Sequence, residues 1–446
     1  MLNGPLWNKI PQFALPVAAT AILEQLFNAS DIAVVGNFSG AASTIAVAAV
    51  GANSFVISLV VNFFIGIALG ANVVIANAIG REDTDAVHRA VHTAVVVAVL
   101  GGALVTVLGE LAAGPALRAL NVPAEVLPYA LLYLRIYLLG VPVILLYNFE
   151  AAIFRSVGDT RVPLQTLAFS GVLNVLLNLF FVIVLHMTVN GVATATVLSN
   201  AISSVLLFVR LRRSDKAIHL EWTALRIDRR SLQKILQIGI PAGIQSAVFS
   251  ISNIVIQSAI NSLGTVVMAA SSAAFNIEVV AYDVLNSFSQ ACTTFVGQNY
   301  GAGKLDRCRK TLVLCLVEDA LASGIAILLV LGSGHFLLSL FNRDPEVIAL
   351  GYTRLMTVFT AYFFSMLYEV MSGYLRGFGI SLVPALLTML GVCGVRILWI
   401  ATAFPRSRTF QTILLAYPLS LAATAVLILL ALLIYHPSRR TKGEAV

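Results

Sequence analysis

Long uninterrupted runs of apolar residues constrain the fold of this chain more than any other feature. Two of them are residues 93–108 (TAVVVAVLGGALVTVL) and residues 422–435 (AATAVLILLALLIY). About 20 apolar residues suffice to cross a bilayer as an α-helix. Because lipid offers no hydrogen-bond partners, a spanning segment must be a helix or a strand of a closed barrel. Barrel strands alternate apolar and polar residues, and these runs do not, so the pattern predicts helical spans.

The composition agrees with a membrane protein. Only 11% of the 446 residues are charged and 59% are hydrophobic, whereas soluble domains average about 25% charged residues. A soluble catalytic domain and a disordered chain are thereby excluded. We predict an all-α polytopic membrane protein with spans at residues 12–38, 44–78, 90–112, 125–152, 162–187, 190–210, 235–262, 266–298, 311–332, 346–374, 382–403 and 410–436.

Lysine and arginine predict the orientation of these spans. With the N-terminus inside, 21 of the 28 basic residues fall in cytoplasmic segments, and only Arg118, Arg343, Arg406 and Arg408 fall outside. This asymmetry follows the positive-inside rule and predicts that both termini are cytoplasmic. It also accounts for the net charge of +7, so we expect no nucleic-acid partner.

The sequence repeats itself at a fixed offset. A shift of 221 residues matches glycine, aspartate, tyrosine, arginine and proline positions: Gly80 with Gly301, Asp85 with Asp306, Tyr147 with Tyr368, Arg155 with Arg376, Gly158 with Gly379 and Pro163 with Pro384. We therefore predict an N-lobe (1–210), a cytoplasmic linker (211–234) and a C-lobe (235–446). Six spans per half predict two six-helix bundles related by a pseudo-two-fold axis along the membrane normal, a layout suited to alternating access.

A polar stripe marks the first span. Thr20, Glu24, Asn28 and Asp31 fall on one helical face. Acidic residues inside a membrane are rare and are typical of ion or substrate pathways. In a water-poor cleft, Asp31 or Glu24 could exchange a proton or coordinate Na⁺. The alternative is an acid that only fixes helix packing.

Further polar residues lie in other spans. Asn174 and Asn178 lie one helical turn apart in the fifth span and Thr196 lies in the sixth, where either helix packing or binding would explain them. Four more acids are candidates for contact with a substrate or an ion: Glu150, Glu278, Asp283 and Glu369.

The sequence gives little reason to expect an enzyme or a resident cofactor. It has no nucleotide-binding or hydrolase motif, and His88 with His92 lack a third metal ligand. We expect no structural metal, although Na⁺ at Asp31 is compatible with the residues. An intramembrane enzyme would need a group of catalytic residues. No serine–histidine, paired-aspartate or metal-ligand spacing in the sequence indicates one.

Four segments resemble one family. They are ALPVAATAILEQLFNASDIAVVG (14–36), FRSVGDTRVPLQT (154–166), GQNYGAG (297–303) and YLRGFGISLVPALL (374–387). In their order and repeated placement they resemble the multidrug and toxic compound extrusion (MATE) family of cation-coupled efflux transporters, over essentially the whole chain.

The resemblance implies two six-helix lobes that export hydrophobic, often cationic compounds by antiport with H⁺ or Na⁺. It implies a monomer in the bacterial cytoplasmic (inner) membrane whose partners are small organic substrates and the bilayer. Asp31 falls where the family keeps its N-lobe acid, with Asn174, Asn178 and Thr196 as its partners. Two departures are that Asn178 replaces a frequently acidic residue and that residues 241–262 contain no acid.

A second interpretation is a lipid-linked oligosaccharide flippase of similar architecture. Its cleft would have to hold pyrophosphate and should be rich in arginine. In this sequence Arg135, Arg354 and Arg396 lie near the predicted outer ends of spans, while the polar residues deep in the spans are mostly acids and amides. This distribution favours a cleft that binds cations over one that binds pyrophosphate.

Overall fold

A computed structural model describes residues 1–40, 43–120, 122–214, 216–435 and 437. The basic C-terminal residues Arg439, Arg440 and Lys442, used above to predict orientation, lie outside the described residues. Within these ranges twelve helices are long and apolar enough to cross a membrane. They are α1 (Lys9–Phe38), α2 (Ser43–Gly80), α3 (Thr84–Ala119), α4 (Leu127–Ser156), α5 (Arg161–Val184), α6 (Val189–Arg212), α7 (Arg229–Asn261), α8 (Thr265–Gly301), α9 (Leu305–Ser339), α10 (Pro345–Gly377), α11 (Leu382–Thr402) and α12 (Phe410–Tyr435).

The prediction of an all-helical chain with twelve spans is confirmed. The largest differences are at α3 and α9, which extend several residues past both predicted ends. At α3 the Asp83 side chain caps the helix by accepting a hydrogen bond from the Ala86 N–H at 2.9 Å. The cap allows the helix to continue through polar residues that hydropathy assigns to a loop.

By packing, the described chain divides into two compact units. The N-unit contains Ala19–Ile79 and Asp83–Gly239, and the C-unit contains Met1–Ala18, Gly80–Glu82 and the residues from Ile240 onward. The lobe boundaries and the pseudo-two-fold axis inferred from the repeat stay predictions.

In the N-unit, small residues allow the helices to approach closely. A Cβ on Gly102 of α3 would lie 2.4 Å from the Cα atom of Pro142 in α4, so only glycine fits there. Small residues are typical of helix contacts in membranes, where close backbone approach replaces the hydrophobic effect as the source of attraction. α3 packs along α4, and α4 packs along α6.

The linker is attached to the N-unit by specific hydrogen bonds. The Glu221 N–H donates to Nε2 of His92 at 3.0 Å, and the Asp228 N–H donates to Oγ1 of Thr93 at 2.9 Å. His92 Nδ1 in turn lies 2.7 Å from the His88 carbonyl oxygen. Both ring nitrogens of His92 are therefore used within the protein, which agrees with the expectation that the two histidines are not a metal site.

In the C-unit, α8 and α10 form the closest helix pair described here. A Cβ on Gly373 of α10 would lie 2.5 Å from the Ser289 carbonyl oxygen of α8. Ser289 Oγ donates to the Glu369 carbonyl oxygen at 2.8 Å. The first residues of the chain also pack in this unit, with the rings of Phe13 and Phe295 5.9 Å apart in a T-shaped arrangement.

Two spans contain π-helical segments, which hydropathy does not reveal. One ends α5 at Phe180–Val184, and the other interrupts α11 at Met389–Gly394. Such a segment adds a residue to a helical turn and changes which side chains face inward after it; it often marks a functional site. In α11 it immediately precedes Val395–Thr402, in which Arg396 is the buried residue.

Candidate ion-coupling site

Asp31 lies where three helices of the N-unit meet. Its Oδ1 atom accepts a 2.6 Å hydrogen bond from Nδ2 of Asn178 in α5, and its Oδ2 atom accepts a 2.9 Å bond from Oγ1 of Thr196 in α6. Only 6% of Asp31 is exposed. The side chain therefore points into the protein, as the polar stripe of the first span requires.

The hydrogen bonds continue away from Asp31. Asn178 Nδ2 also donates to Oδ1 of Asn174 at 3.1 Å, and Asn174 Nδ2 donates to Oγ of Ser199 at 3.4 Å. Ser199 then donates to the Thr196 carbonyl oxygen at 3.0 Å. We call Asp31, Asn174, Asn178, Thr196 and Ser199 the Asp31 site.

The Asp31 carboxyl group is not balanced by a base. Within the described part of the chain it forms no ion pair, and both of its hydrogen-bond donors are neutral groups. A buried carboxylate without a counter-charge is expensive, and only part of that cost is offset by hydrogen bonds. The site therefore favours association with a cation, whether a proton or a metal ion.

Asn178 supplies a second feature suited to a cation. Its Nδ2 group is directed at Asp31 and Asn174, which leaves its Oδ1 atom buried without a hydrogen-bond donor among the described residues. An unsatisfied buried acceptor costs about 1–3 kcal/mol. Carboxylate, amide and hydroxyl oxygens are the ligand types that hard cations prefer.

Glu24 lies apart from the Asp31 hydrogen bonds. Seven residues separate the two acids on α1, so about 10 Å lies between them along the helix axis. Glu24 interacts electrostatically with Arg155, whereas Asp31 has no basic neighbour of this kind. Asn28, between the two acids, is exposed. The structure thus does not bring Glu24 into the hydrogen-bonded site, and its assignment to ion coupling stays a prediction.

The remaining acids in the spans have separate surroundings. Glu150 is buried in the N-unit and its Oε2 atom accepts a 3.0 Å bond from Ser204. In the C-unit, Glu369 is buried and accepts a 3.1 Å bond from the Tyr282 hydroxyl, while Asp283 is partly buried. Their contact with a substrate stays a prediction.

Glu278 is held in a buried ion pair of the C-unit. Arg354 donates from Nε to Oε1 at 2.7 Å and from Nη2 to Oε2 at 2.9 Å. The side chains of Arg354 and Glu278 are 2% and 4% exposed. These two hydrogen bonds to a guanidinium neutralise Glu278. Glu278 therefore gains less than Asp31 from binding a proton or Na⁺.

The structure adds burial to the sequence-based picture of two arginines. Arg354 and Arg396, which the sequence places toward the outer ends of spans, are buried in the C-unit with 2% and 3% exposure. Position along a span does not reveal the direction in which a side chain points. Buried arginine is therefore present in this chain, and its supposed scarcity no longer counts against the flippase.

Sequence reasoning also missed residues around the Asp31 site. Ser199 joins Asn174 to Thr196, and no pattern singled it out among the serines of α6. Tyr133 and Tyr137 stack one turn apart on α4, with ring centroids 6.4 Å apart, and both interact electrostatically with Asp31. Their spacing on one helical face was the available signal.

The described residues contain no group of three or more histidine, cysteine or acidic side chains placed to hold a metal ion. Na⁺ at Asp31 would thus depend on neutral oxygen ligands in addition to one carboxylate, which is compatible with the Asp31 site as built.

Twelve candidate spans, with a buried acid among them that forms no ion pair with a described residue, are typical of polytopic membrane transporters. The MatE family model matches residues 16–180 and 241–401. These two segments cover both halves of the chain and well over half of its length. The chain belongs to the MatE family, as the resemblance of its motifs predicted.

Individual relatives agree with this assignment. The chain is 26% identical over 401 residues to the probable multidrug resistance protein YoeA of Bacillus subtilis, covering 88% of this chain and 86% of that protein. It is also 26% identical over 446 residues to the probable multidrug resistance protein NorM of Thermotoga maritima, covering 98% and 93%.

A solved structure shares the fold. It is the outward-facing conformation of a multidrug resistance MATE family transporter of the MOP superfamily, with a TM-score of 0.90 and 20% identity over 99% of this chain and 98% of that one. MATE family members are transporters, so the prediction that this chain is not an enzyme is confirmed by its family.

Proposed function

We propose that the chain is a secondary active multidrug exporter that moves hydrophobic or cationic organic compounds against H⁺ or Na⁺. The observation that carries the proposal is the Asp31 carboxyl group, buried at 6% exposure and without a basic partner in the described ranges. A proton or Na⁺ that binds and leaves during transport would neutralise this group in one state and not in the other.

In the proposed mechanism, alternating access exposes the Asp31 site to one side of the membrane at a time. A proton or Na⁺ bound there from outside neutralises the carboxylate and is released inside. Each charge that moves inward contributes about 2.3 kcal/mol per 100 mV of membrane potential, in addition to its concentration gradient. Asn178 and Thr196 would re-form their hydrogen bonds to Asp31 when the cation leaves.

Three further points belong to the proposal. The names of the relatives, which are multidrug resistance proteins, support organic compounds as substrates. The bacterial relatives support a location in the cytoplasmic (inner) membrane of a bacterium. The distribution of lysine and arginine supports both termini in the cytoplasm. We further propose that the transporter works as a monomer, with Asn28, Glu150, Asp283 and Glu369 as candidates for contact with substrate and Glu24 as a further candidate for ion coupling.

The first experiment reconstitutes the protein in proteoliposomes and follows efflux of ethidium, a lipophilic cation. Wild type should export ethidium when a pH or Na⁺ gradient is imposed, and Asp31→Asn should reduce gradient-driven efflux to the protein-free background. Glu110→Gln is the matched control, because Glu110 is a carboxylate of the same unit in a partly exposed pair with Arg135. Coupled efflux that persists in Asp31→Asn would overturn the proposed role.

A second measurement separates the coupling ions. The pH gradient and the Na⁺ gradient are imposed independently at fixed membrane potential, and ethidium efflux is recorded for each. A response to neither gradient would argue against cation antiport. Movement of a lipid-linked oligosaccharide between leaflets without any imposed gradient would favour the flippase instead.

A further inference from the structure

The C-unit contains a cavity that the proposed function does not use. Its volume is about 200 Å³. Six of its thirteen lining residues are aromatic, and the residues that matter here are Phe249, Phe275, Tyr362, Tyr368, Arg396 and Tyr417. We call this space the Arg396 cavity.

The charges around the Arg396 cavity leave one arginine without an acid. Glu278 also lines the cavity, but Arg354 neutralises it through two hydrogen bonds. The nearby Glu369 interacts electrostatically with Arg376. Arg396 forms no ion pair with any described residue, so the wall carries one positive charge in excess.

Arg396 is held in a fixed position. Its Nε atom donates to Ser420 Oγ at 3.0 Å, and its Nη1 atom lies 3.4 Å from Oδ1 of Asn253. The guanidinium carbon lies 4.5 Å from the centre of the Tyr417 ring and 5.4 Å from that of Phe249. Nη2 has no acceptor among the described residues. The π-helical segment Met389–Gly394 directly before it sets the direction of this side chain.

A second donor faces the same space. Tyr368 lines the cavity and is 1% exposed, and its hydroxyl lies near the Ser365 and Glu369 side chains without forming a hydrogen bond of good geometry with a described residue. A buried hydroxyl without a well-formed hydrogen bond costs free energy unless a ligand or water satisfies it. Arg396 and Tyr368 thus offer a fixed cation and a hydroxyl, the pair of donors that a carboxylate accepts well.

The size of the cavity limits the rest of the ligand. A cavity of about 150 Å³ holds benzene, while pockets for drug-sized molecules measure about 300–1,000 Å³. At about 200 Å³, the Arg396 cavity fits one aromatic ring with one small substituent. We propose that it binds a single-ring aromatic carboxylate, with the carboxylate on Arg396 and Tyr368 and the ring among Phe249, Phe275 and Tyr417.

This proposal goes beyond the export of cations and does not depend on Asp31. It assigns a separate binding site, within the C-unit, to a ligand of opposite charge. Either proposal can therefore fail while the other holds.

Calorimetric titration of the full chain in uncharged maltoside micelles tests the assignment, with benzoate as the probe. Benzoate should bind with a saturable isotherm, and benzylamine, which has the same ring and the opposite charge, should bind at least tenfold more weakly. Arg396→Gln should weaken benzoate binding at least tenfold. Arg135→Gln, which removes a half-exposed arginine of the N-unit, should leave it unchanged.

Tyr368→Phe keeps the test decisive if Arg396→Gln does not fold. The substitution removes only a hydroxyl without a well-formed hydrogen bond, so the protein should melt as wild type does while benzoate affinity falls about three- to tenfold. The proposal is overturned if benzoate fails to bind, if benzylamine binds as tightly, or if Tyr368→Phe and every folded Arg396 variant retain wild-type affinity.

Discussion

The two units solve the problem of a buried acid in opposite ways. In the N-unit, Asp31 receives hydrogen bonds from an amide and a hydroxyl, and no described base neutralises it. In the C-unit, Glu278 is joined to Arg354 by two short hydrogen bonds. One unit thus contains a buried acid, Asp31, that forms no ion pair with a described residue, and the other contains a buried base, Arg396, that forms none either.

This difference indicates which acid can exchange a cation. A carboxylate already paired with arginine gains little from a proton or Na⁺, since the cation would have to displace the guanidinium. A carboxylate that is held only by neutral donors gains much more. Ion coupling is therefore expected at Asp31 and not at Glu278, and a structural role is expected for the Glu278–Arg354 pair.

The largest effect on stability is expected from breaking that ion pair. Glu278→Gln leaves Arg354 charged and buried, so the free energy of unfolding should fall by about 3–5 kcal/mol. Denaturation of wild type and Glu278→Gln in mixed micelles measures this change in the free energy of unfolding. Glu110→Gln, which breaks the more exposed pair with Arg135, is the control and should cost less than about 1 kcal/mol. Similar losses in the two variants would contradict the distinction between the units.

A smaller effect is expected at the start of α7, outside both buried clusters. Asp228 accepts 2.8 Å hydrogen bonds from the N–H and the hydroxyl of Ser231, and these bonds lower the pKa of its carboxyl group. Asp228→Ala should lower the free energy of unfolding by about 1 kcal/mol, as is typical for loss of a helix cap.

The pH dependence of this loss has a definite sign. Because folding lowers the pKa of Asp228, its contribution is complete above the ordinary aspartate pKa of about 4 and disappears as the pH falls through the folded-state value. Wild type and Asp228→Ala should therefore differ at pH 7 and converge in acid. If the free energies of unfolding of wild type and Asp228→Ala differ by the same amount down to low pH, the Asp228 carboxylate is not the cause of the stability loss.

The smallest effect on stability is expected at Asp31. Asparagine has nearly the same shape and keeps one acceptor, so Asp31→Asn loses about one hydrogen bond, worth roughly 1 kcal/mol, and no longer buries a charge. The free energy of unfolding should change by less than about 1 kcal/mol, although gradient-driven efflux is lost. A loss comparable to that of Glu278→Gln would mean that Asp31 is a structural acid.

Much of the fold could be predicted because membrane spans are defined by local sequence. Twelve helices follow from apolar runs, and the stripe from Thr20 to Asp31 follows from helical spacing. The hydrogen bonds of Asp31 to Asn178 and Thr196 agree with the partners that the family resemblance suggested. Their function in coupling is a separate matter, which transport measurements must test.

Pairings between distant helices could not be predicted in the same way. Arg354 and Glu278 are 76 residues apart, and their contact depends on how α8 and α10 are rotated. Burial of Arg396 depends in addition on the π-helical segment in α11. Composition and hydropathy contain neither the rotation nor the extra residue, so these arginines were placed near span ends.

The π-helical segment also limits how α11 can change in length. Each residue of an α-helix advances the chain by about 100° around its axis. Removing a single residue from Met389–Gly394 would relax the wide turn into an ordinary one, so the helix on either side would keep its direction and Arg396 would still face Tyr417 and Ser420. Removing a residue where the turns are already regular would instead rotate the following side chains by about that angle. The wide turn is therefore the place in α11 that can absorb a one-residue deletion.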